Sequence, residues 1–219
     1  MRPRPSLLAP APPAHRLAEV HRLPTARADD ALLAQAAARG DEQAAEAIWD
    51  RFSPLVRSIV HRSLGPAGEV SDLVQETFLQ LFRQLPGLRE PASLRSFLIG
   101  ITLRVLGTEL RRRRVRRWLH LSDSGVLPDL PGLEEDRDAR EALRRLYAAL
   151  DRIGDDDRLL FVLRHIEGLE LTEVAAAQGA SLATIKRRLA RIMERLLSMA
   201  ARDPVLAAYL DPGSGGASP

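Results

Sequence analysis

No cysteine occurs among the 219 residues, which excludes disulfides, thiolate metal sites and thiol nucleophiles and agrees with a reducing, cytoplasmic compartment. Aromatic residues make up only 4% of the chain, so any core must be built from Leu, Ala, Val and Ile, a set that favours helix over strand. No apolar run approaches the roughly 18 residues needed for a membrane span. Prolines interrupt the short apolar patch Leu7-Leu8-Ala9, so the arginine-bearing N-terminus does not read as a signal peptide. The histidines at positions 15, 21, 61, 120 and 165 lack metal-ligand spacing, and there is neither a glycine-rich phosphate loop nor a nucleophile paired with histidine. These absences leave no expected metal, cofactor or catalytic residue. Lysine is almost missing too: Lys186 stands alone, and the net charge of +3 is carried by arginine. Arginine presents a planar fork suited to phosphates and guanine edges, so its placement matters more than the net value.

What is present is helical patterning in two blocks. Residues 1–27, rich in Pro, Arg and Ala without periodicity, read as a disordered extension. A first helical domain is expected over 28–118. It begins near Asp30 with Leu32, Leu33 and Ala36 and, after the break at Gly40, continues from Asp41 with the stripe Ala45, Ile48, Trp49, Phe52, Val56, Ile59 and Val60, kinked at Pro54 and ended by Gly65-Pro66. The next helix, about Ser71 to Leu85, has two unlike sides. Val74, Phe78, Leu81, Phe82 and Leu85 form an apolar stripe, while Asp72, Gln75, Glu76, Leu79, Gln80 and Arg83 form the opposite side, an acidic, amide-rich back with a leucine in it. Ser93 is placed to cap a helix running from Leu94 to about Trp118, with Leu94, Phe97, Leu98, Ile101, Val105 and Leu110 inward. That helix ends in Arg111-Arg112-Arg113-Arg114-Val115-Arg116-Arg117. A helix C-terminus gains from one or two basic residues; six arginines in seven positions repel one another unless a polyanion neutralises them.

Residues 119–136 change to Pro, Gly and acidic residues and read as a flexible linker reaching on the order of 60 Å when extended. That span covers one to two turns of a duplex at roughly 34 Å a turn. A second helical domain is expected over 137–201, with helices near 138–152, 156–166, 171–178 and 181–201, followed by a flexible tail over 202–219 that has room for one short turn at Val205–Leu210. The last two helices flank Gly179-Ala180, a short glycine turn of the helix-turn-helix kind. Ser181 caps the final helix, Thr184 lies in its first turn, and Lys186, Arg187, Ala190 and Arg191 share an outward face. A recognition helix inserts its N-terminal part into the major groove, where Arg or Lys bonds guanine O6 and N7. The acidic run Asp155-Asp156-Asp157 reads as a cap for the helix after it.

Two blocks of residues resemble the extracytoplasmic-function group of bacterial RNA polymerase sigma factors. The first is Asp72-Leu73-Val74-Gln75-Glu76-Thr77-Phe78, then Ser93-Leu94-Arg95-Ser96-Phe97-Leu98 and the arginine run. The second is Glu167-Gly168-Leu169, then Leu171-Thr172-Glu173-Val174-Ala175 and Ser181-Leu182-Ala183-Thr184-Ile185-Lys186-Arg187-Arg188-Leu189. The resemblance implies an all-α, two-domain subunit whose partners are core RNA polymerase, promoter DNA and an anti-sigma factor. It implies docking on the polymerase through Asp72, Gln75, Glu76 and Leu79, and −10 contact through the 84–93 loop, Arg95, Arg104 and Arg111 to Arg114. It also implies −35 reading by Lys186, Arg187, Ala190 and Arg191, with Ser181, Thr184 and Arg188 on phosphates. Phe97, Ile99 and Arg104 depart from the family's usual tryptophan, aromatic and asparagine, so fewer groups are available to stack on an unpaired base. Weak intrinsic melting and strong dependence on a good −10 sequence are expected. Gly100 and Gly107 are expected to weaken their helix by about 1 kcal/mol each relative to alanine, and Ala177 and Gln178 to loosen the second core. Two rival readings remain from the residues alone: a helix-turn-helix repressor or activator acting without polymerase, and a helical adaptor whose arginines bind RNA or acidic protein.

Overall fold

The computed structural model describes residues 24–64, 70–118 and 137–210. The linker at 119–136, the Gly65-Pro66 terminator and most of the two terminal segments lie outside the described residues. Helix α1 spans Pro24–Ala38, beginning four residues inside the stretch read as an extension. Gly40 turns the chain at φ 90°, and the Asp41 carboxylate accepts from the Ala44 amide at 3.1 Å, which caps α2 (Glu42–Leu64). That helix runs unbroken through Pro54. Helix α3 covers Val70–Gln84 and tightens into a 3-10 turn at Leu85–Gly87.

A second 3-10 turn, Pro91–Ser93, leads directly into α4 (Leu94–Trp118). Ser93 does not cap α4 as expected: its hydroxyl donates backward to the Glu90 carbonyl at 2.7 Å, because the preceding turn already satisfies the helix entry. Helices α2, α3 and α4 pack mutually, with α1 laid across α2. Trp49 and Phe78 meet with ring centroids 4.5 Å apart, and Phe78 reaches Phe82 at 6.1 Å. Four of the five phenylalanines, Phe52, Phe78, Phe82 and Phe97, thus lie in or against the core of this half.

The second half contains α5 (Arg137–Ile153), α6 (Asp155–Phe161), a π turn at Val162–Ile166, α7 (Leu171–Gln178) and α8 (Leu182–Ala200). A further helix, α9 (Pro204–Leu210), lies in the stretch read as a tail and packs on α5 and α8. Asp203 fixes its start by accepting from the amides of Val205 and Leu206, and it also pairs with Arg145 at 3.1 Å. The helix expected over 156–166 divides into α6 and the π turn. Asp155, Asp156 and Asp157 occupy the first turn of α6 without a side-chain capping bond; two of them are held in ion pairs instead.

The two halves are in contact. Helix α4 packs on α2 and α3 from one side and on α6 and α7 from the other, so Ile99, Thr102 and Leu106 are buried along with the stripe expected from periodicity. Gly100 is a point of close approach: a Cβ built there would lie 2.7 Å from the carbonyl oxygen of Ala177. The small residues at 100 and 177 are therefore what lets the helices meet. Gln178 has a role as well, accepting from Arg188 at 3.1 Å.

Candidate nucleic-acid and protein interfaces

The back of α3 is open. Asp72, Gln75, Glu76 and Leu79 are exposed, Leu79 to 50%, while Val74, Phe78 and Leu81 beneath them are fully buried. The Gln80 amide donates to Glu76 at 2.8 Å and orders that carboxylate without neutralising it. Thr77, which the apolar stripe did not include, is also buried; its hydroxyl returns a 2.7 Å bond to the Leu73 carbonyl and so enters the core at little cost. An exposed leucine flanked by carboxylates offers an apolar anchor with an acidic rim, an arrangement suited to protein and repelled by phosphate.

The arginines of α4 divide into two groups. Arg113 bonds Glu109 at 2.9 Å and donates to the Leu64 carbonyl, which ties the end of α4 to the end of α2. Arg116 also reaches Glu109, and Arg114 pairs with Asp155 of α6 at 2.6 Å. Arg95 pairs with Glu173 of α7. Arg104, Arg111 and Arg112 are exposed; Arg111 makes only a 3.3 Å bond to Thr108 within its own helix. Of the six residues expected on the −10 element, the structure leaves these three presented to solvent and engages Arg95, Arg113 and Arg114 internally.

Helices α7 and α8 form the helix-turn-helix. Gly179 closes α7 at φ 61°, a left-handed conformation that glycine adopts without strain. Ser181 then caps α8, accepting from the Thr184 amide at 3.2 Å, with the two hydroxyls 2.8 Å apart. Ile185, Leu189, Ile192 and Leu196 are buried, and Lys186, Arg187, Ala190 and Arg191 are exposed on the opposite face. No ion-pair partner holds Lys186, Arg187 or Arg191 among the described residues. Arg188 differs: it is bonded to Asp157 at 2.9 Å and to Gln178, so its guanidinium joins α8 to α6 and α7. Its position in the sequence gave no sign of this, because both partners are distant along the chain.

Among the described residues, no group of three or more His, Asp or Glu is placed to hold a metal, and no helix is long and apolar enough to cross a membrane. The described residues thus present an exposed acidic face on α3, exposed arginines on α4 and a helix-turn-helix with an exposed basic face on α8. The chain matches Sigma-70 region 2 over residues 48–116 and Sigma-70, region 4 over residues 143–196. It is 31% identical over 179 residues to the RNA polymerase sigma factor CnrH of Cupriavidus metallidurans, covering 78% of this chain and 93% of that one. It is 30% identical over 156 residues to the ferric citrate uptake sigma factor FecI of Escherichia coli, covering 69% and 88%. The structure of CnrH in complex with the cytosolic domain of CnrY shares the fold with a TM-score of 0.57 at 24% identity, over 80% of this chain and 99% of that one. The sigma factor RpoE with the anti-sigma factor NepR from Bartonella quintana gives 0.54 at 20%, over 72% and 97%. The chain belongs to the extracytoplasmic-function sigma factors. It binds core RNA polymerase and directs it to specific promoters.

Proposed function

We propose that the three faces divide the work of promoter recognition as follows. Asp72, Gln75, Glu76 and Leu79 dock on core polymerase. Arg104, Arg111 and Arg112 of α4 follow the DNA at the −10 element, with Arg95, Arg113 and Arg114 joining them as far as their internal pairs release. Lys186, Arg187, Ala190 and Arg191 read base edges of the −35 element, while Ser181 and Thr184 sit at the helix N-terminus where a phosphate is favoured. Arg188 acts mainly by fixing the angle of α8, and contacts phosphate only if its bonds to Asp157 and Gln178 open. The reading carries the protein as a non-catalytic, cytoplasmic subunit, the phosphoryl-transfer chemistry belonging to the polymerase. Since the two structural relatives were solved with CnrY and NepR, an anti-sigma partner is proposed for this chain as well.

The observation that supports this most strongly is the contrast of two faces: an open α3 face with Asp72, Glu76 and an exposed Leu79, and an open α8 face with Lys186, Arg187 and Arg191. A repressor acting alone has no use for the α3 face. Co-migration with core polymerase tests it. Wild type is expected to co-migrate, and Glu76→Arg to dissociate under the same conditions while still binding DNA through α8. If Glu76→Arg binds core as wild type does, the docking assignment is wrong.

A further inference from the structure

The three aspartates that open α6 do not cap it, and two of them take partners on different helices. Asp155 pairs with Arg114 of the first half, as Tyr147 of α5 reaches that half by donating its hydroxyl to the Arg62 carbonyl at 2.9 Å. Asp157 turns instead to α8. One of its oxygens accepts from Arg188 at 2.9 Å, and the other lies 3.8 Å from the Arg195 guanidinium. Arg188 also donates to Gln178 at the end of α7, at 3.1 Å. Arg195 also donates to the backbone carbonyls of Ile153 and Arg152 at the end of α5, at 3.4 and 3.5 Å. Two arginines and one shared carboxylate thus tie α8 to α5, α6 and α7.

The spacing of those arginines matters. Residues 188 and 195 lie two helical turns apart on one edge of α8, about 10 Å along its axis. The buried Ile185, Leu189, Ile192 and Leu196 hold the helix down, but apolar burial is non-directional and resists rotation of the helix about its axis only weakly. Directional bonds at two points resist both rotation and sliding. Reading bases requires that restraint: with side chains the helix has a radius of about 5–6 Å, so a rotation of about 20° moves a side-chain tip by about 2 Å. A hydrogen bond to a base edge does not survive that displacement. The pair is also sheltered, the side chains of Arg188 and Asp157 being 27% and 29% exposed, which keeps it from the near-zero worth of a fully solvated ion pair. Resting on the assignment of α8 to the −35 element, we infer that Asp157 is a positioning residue for promoter recognition. It touches no DNA; it fixes the rotation of α8, and so which base edges Lys186, Arg187 and Arg191 reach.

The test uses the full-length protein assembled with core polymerase. Wild type first selects its preferred −35 sequence from promoter duplexes randomised at that element. The selected duplex, its single-base variants and a duplex scrambled at the element are then the probes, and circular dichroism melting establishes that each variant is folded at the assay temperature. Asp157→Ala is expected to lose about tenfold in preference for the selected duplex over its single-base variants, a part of the discrimination that well-placed base contacts confer, with affinity for the scrambled duplex unchanged. Asp157→Asn keeps the shape without the charge and should lose less; it decides the matter should the alanine variant unfold. Asp157→Glu restores a carboxylate and should restore the preference. The double variant Asp157→Ala/Arg188→Ala should lose little more than Arg188→Ala alone, because both changes remove one contact. Tighter binding of Asp157→Ala to every duplex, with a salt slope steeper by about one unit, would mean that Arg188 is a phosphate contact for which Asp157 competes, and overturns the inference. A lower melting temperature with the preference intact overturns it equally. Lys186→Ala, run in parallel, shows which reading has failed. Altered selection in Lys186→Ala with none in Asp157→Ala removes the positioning role and leaves α8 on the −35 element. Unchanged selection in both removes the −35 assignment and the positioning role with it.

Discussion

The two arginine-bearing helices differ in how they use their charge. Helix α4 concentrates six arginines at its end, yet Arg113 and Arg116 share Glu109, and Arg114 is engaged with Asp155. Helix α8 has a sparser basic face, but Lys186, Arg187 and Arg191 are presented together on an exposed surface. Density of charge along a sequence is therefore a poor guide to charge available for a polyanion. A run of like charges recruits carboxylates from its own fold, since unpaired neighbours repel. Isolated cations at helical spacing on a solvent face have no such demand, and remain free for a ligand. On the proposed assignment, the first arrangement would give stiffness with some DNA affinity and the second would give specificity.

That contrast can be broken in order of effect. The largest change is expected from Phe78→Ala, which removes a core aromatic at a cost of about 3–5 kcal/mol. Urea unfolding followed by circular dichroism should then show the first half melting early and the second near the wild-type midpoint. A single shared transition would mean the halves form one folding unit. Next, Lys186→Ala should relax preference at one base pair of the −35 element by about 1–3 kcal/mol. Arg112→Ala should instead weaken all sequences alike and reduce the salt slope of binding by about one unit. Binding to a panel of single-base promoter variants across a salt series separates the two. A smaller effect is expected from Arg113→Ala, which loses about 1–2 kcal/mol of stability through its bonds to Glu109 and Leu64 and lowers the salt slope less than Arg112→Ala does.

The smallest effect is one of pH. Desolvation acts to raise the Asp203 carboxyl, but bonds from Arg145 and from the amides of Leu206 and Val205 prevail, and the group is held below its ordinary value of 3.8. Its contribution is therefore present above that value and lost as pH falls through the folded value, so α9 should loosen only in strong acid. Glu167 runs the other way: burial outweighs the Ser58 bond and the Arg62 charge and raises its carboxyl above 4.5. Its protonated form favours the packed arrangement at low pH, and this contribution is lost as pH rises through the folded value. Amide spectra of Ala207 and of Glu167 across an acid titration should show the two trends with opposite sign.

The helices themselves were largely readable from residue pattern. The α3 stripe, the glycine turn at 179 and the inward face of α8 all follow from local chemistry, and so does the Ser181 cap. What pattern could not show is pairing across the chain. Periodicity marked one apolar side of α4, but Ile99, Thr102 and Leu106 are buried because a second surface arrives from α6 and α7. Gly100 read as a weak point in its helix, since a propensity scale has no knowledge of Ala177. Ser93 looked like a cap because its residue type and position fit one, yet the turn before it had already provided the bonds. Arg188 read as a phosphate contact for the same reason: its two partners, Asp157 and Gln178, are separated from it by 31 and 10 residues.

The bond from Tyr147 to the Arg62 carbonyl has a practical corollary. Tyr147 is one of only two tyrosines in the chain; it sits at the joint with the Arg158 guanidinium 5.4 Å from its ring centre, and burial raises its phenol above the usual 10. Its ultraviolet absorbance therefore records whether the halves are together. A shift of that band toward the spectrum of solvent-exposed tyrosine would follow separation in real time, in unlabelled protein and at native sequence.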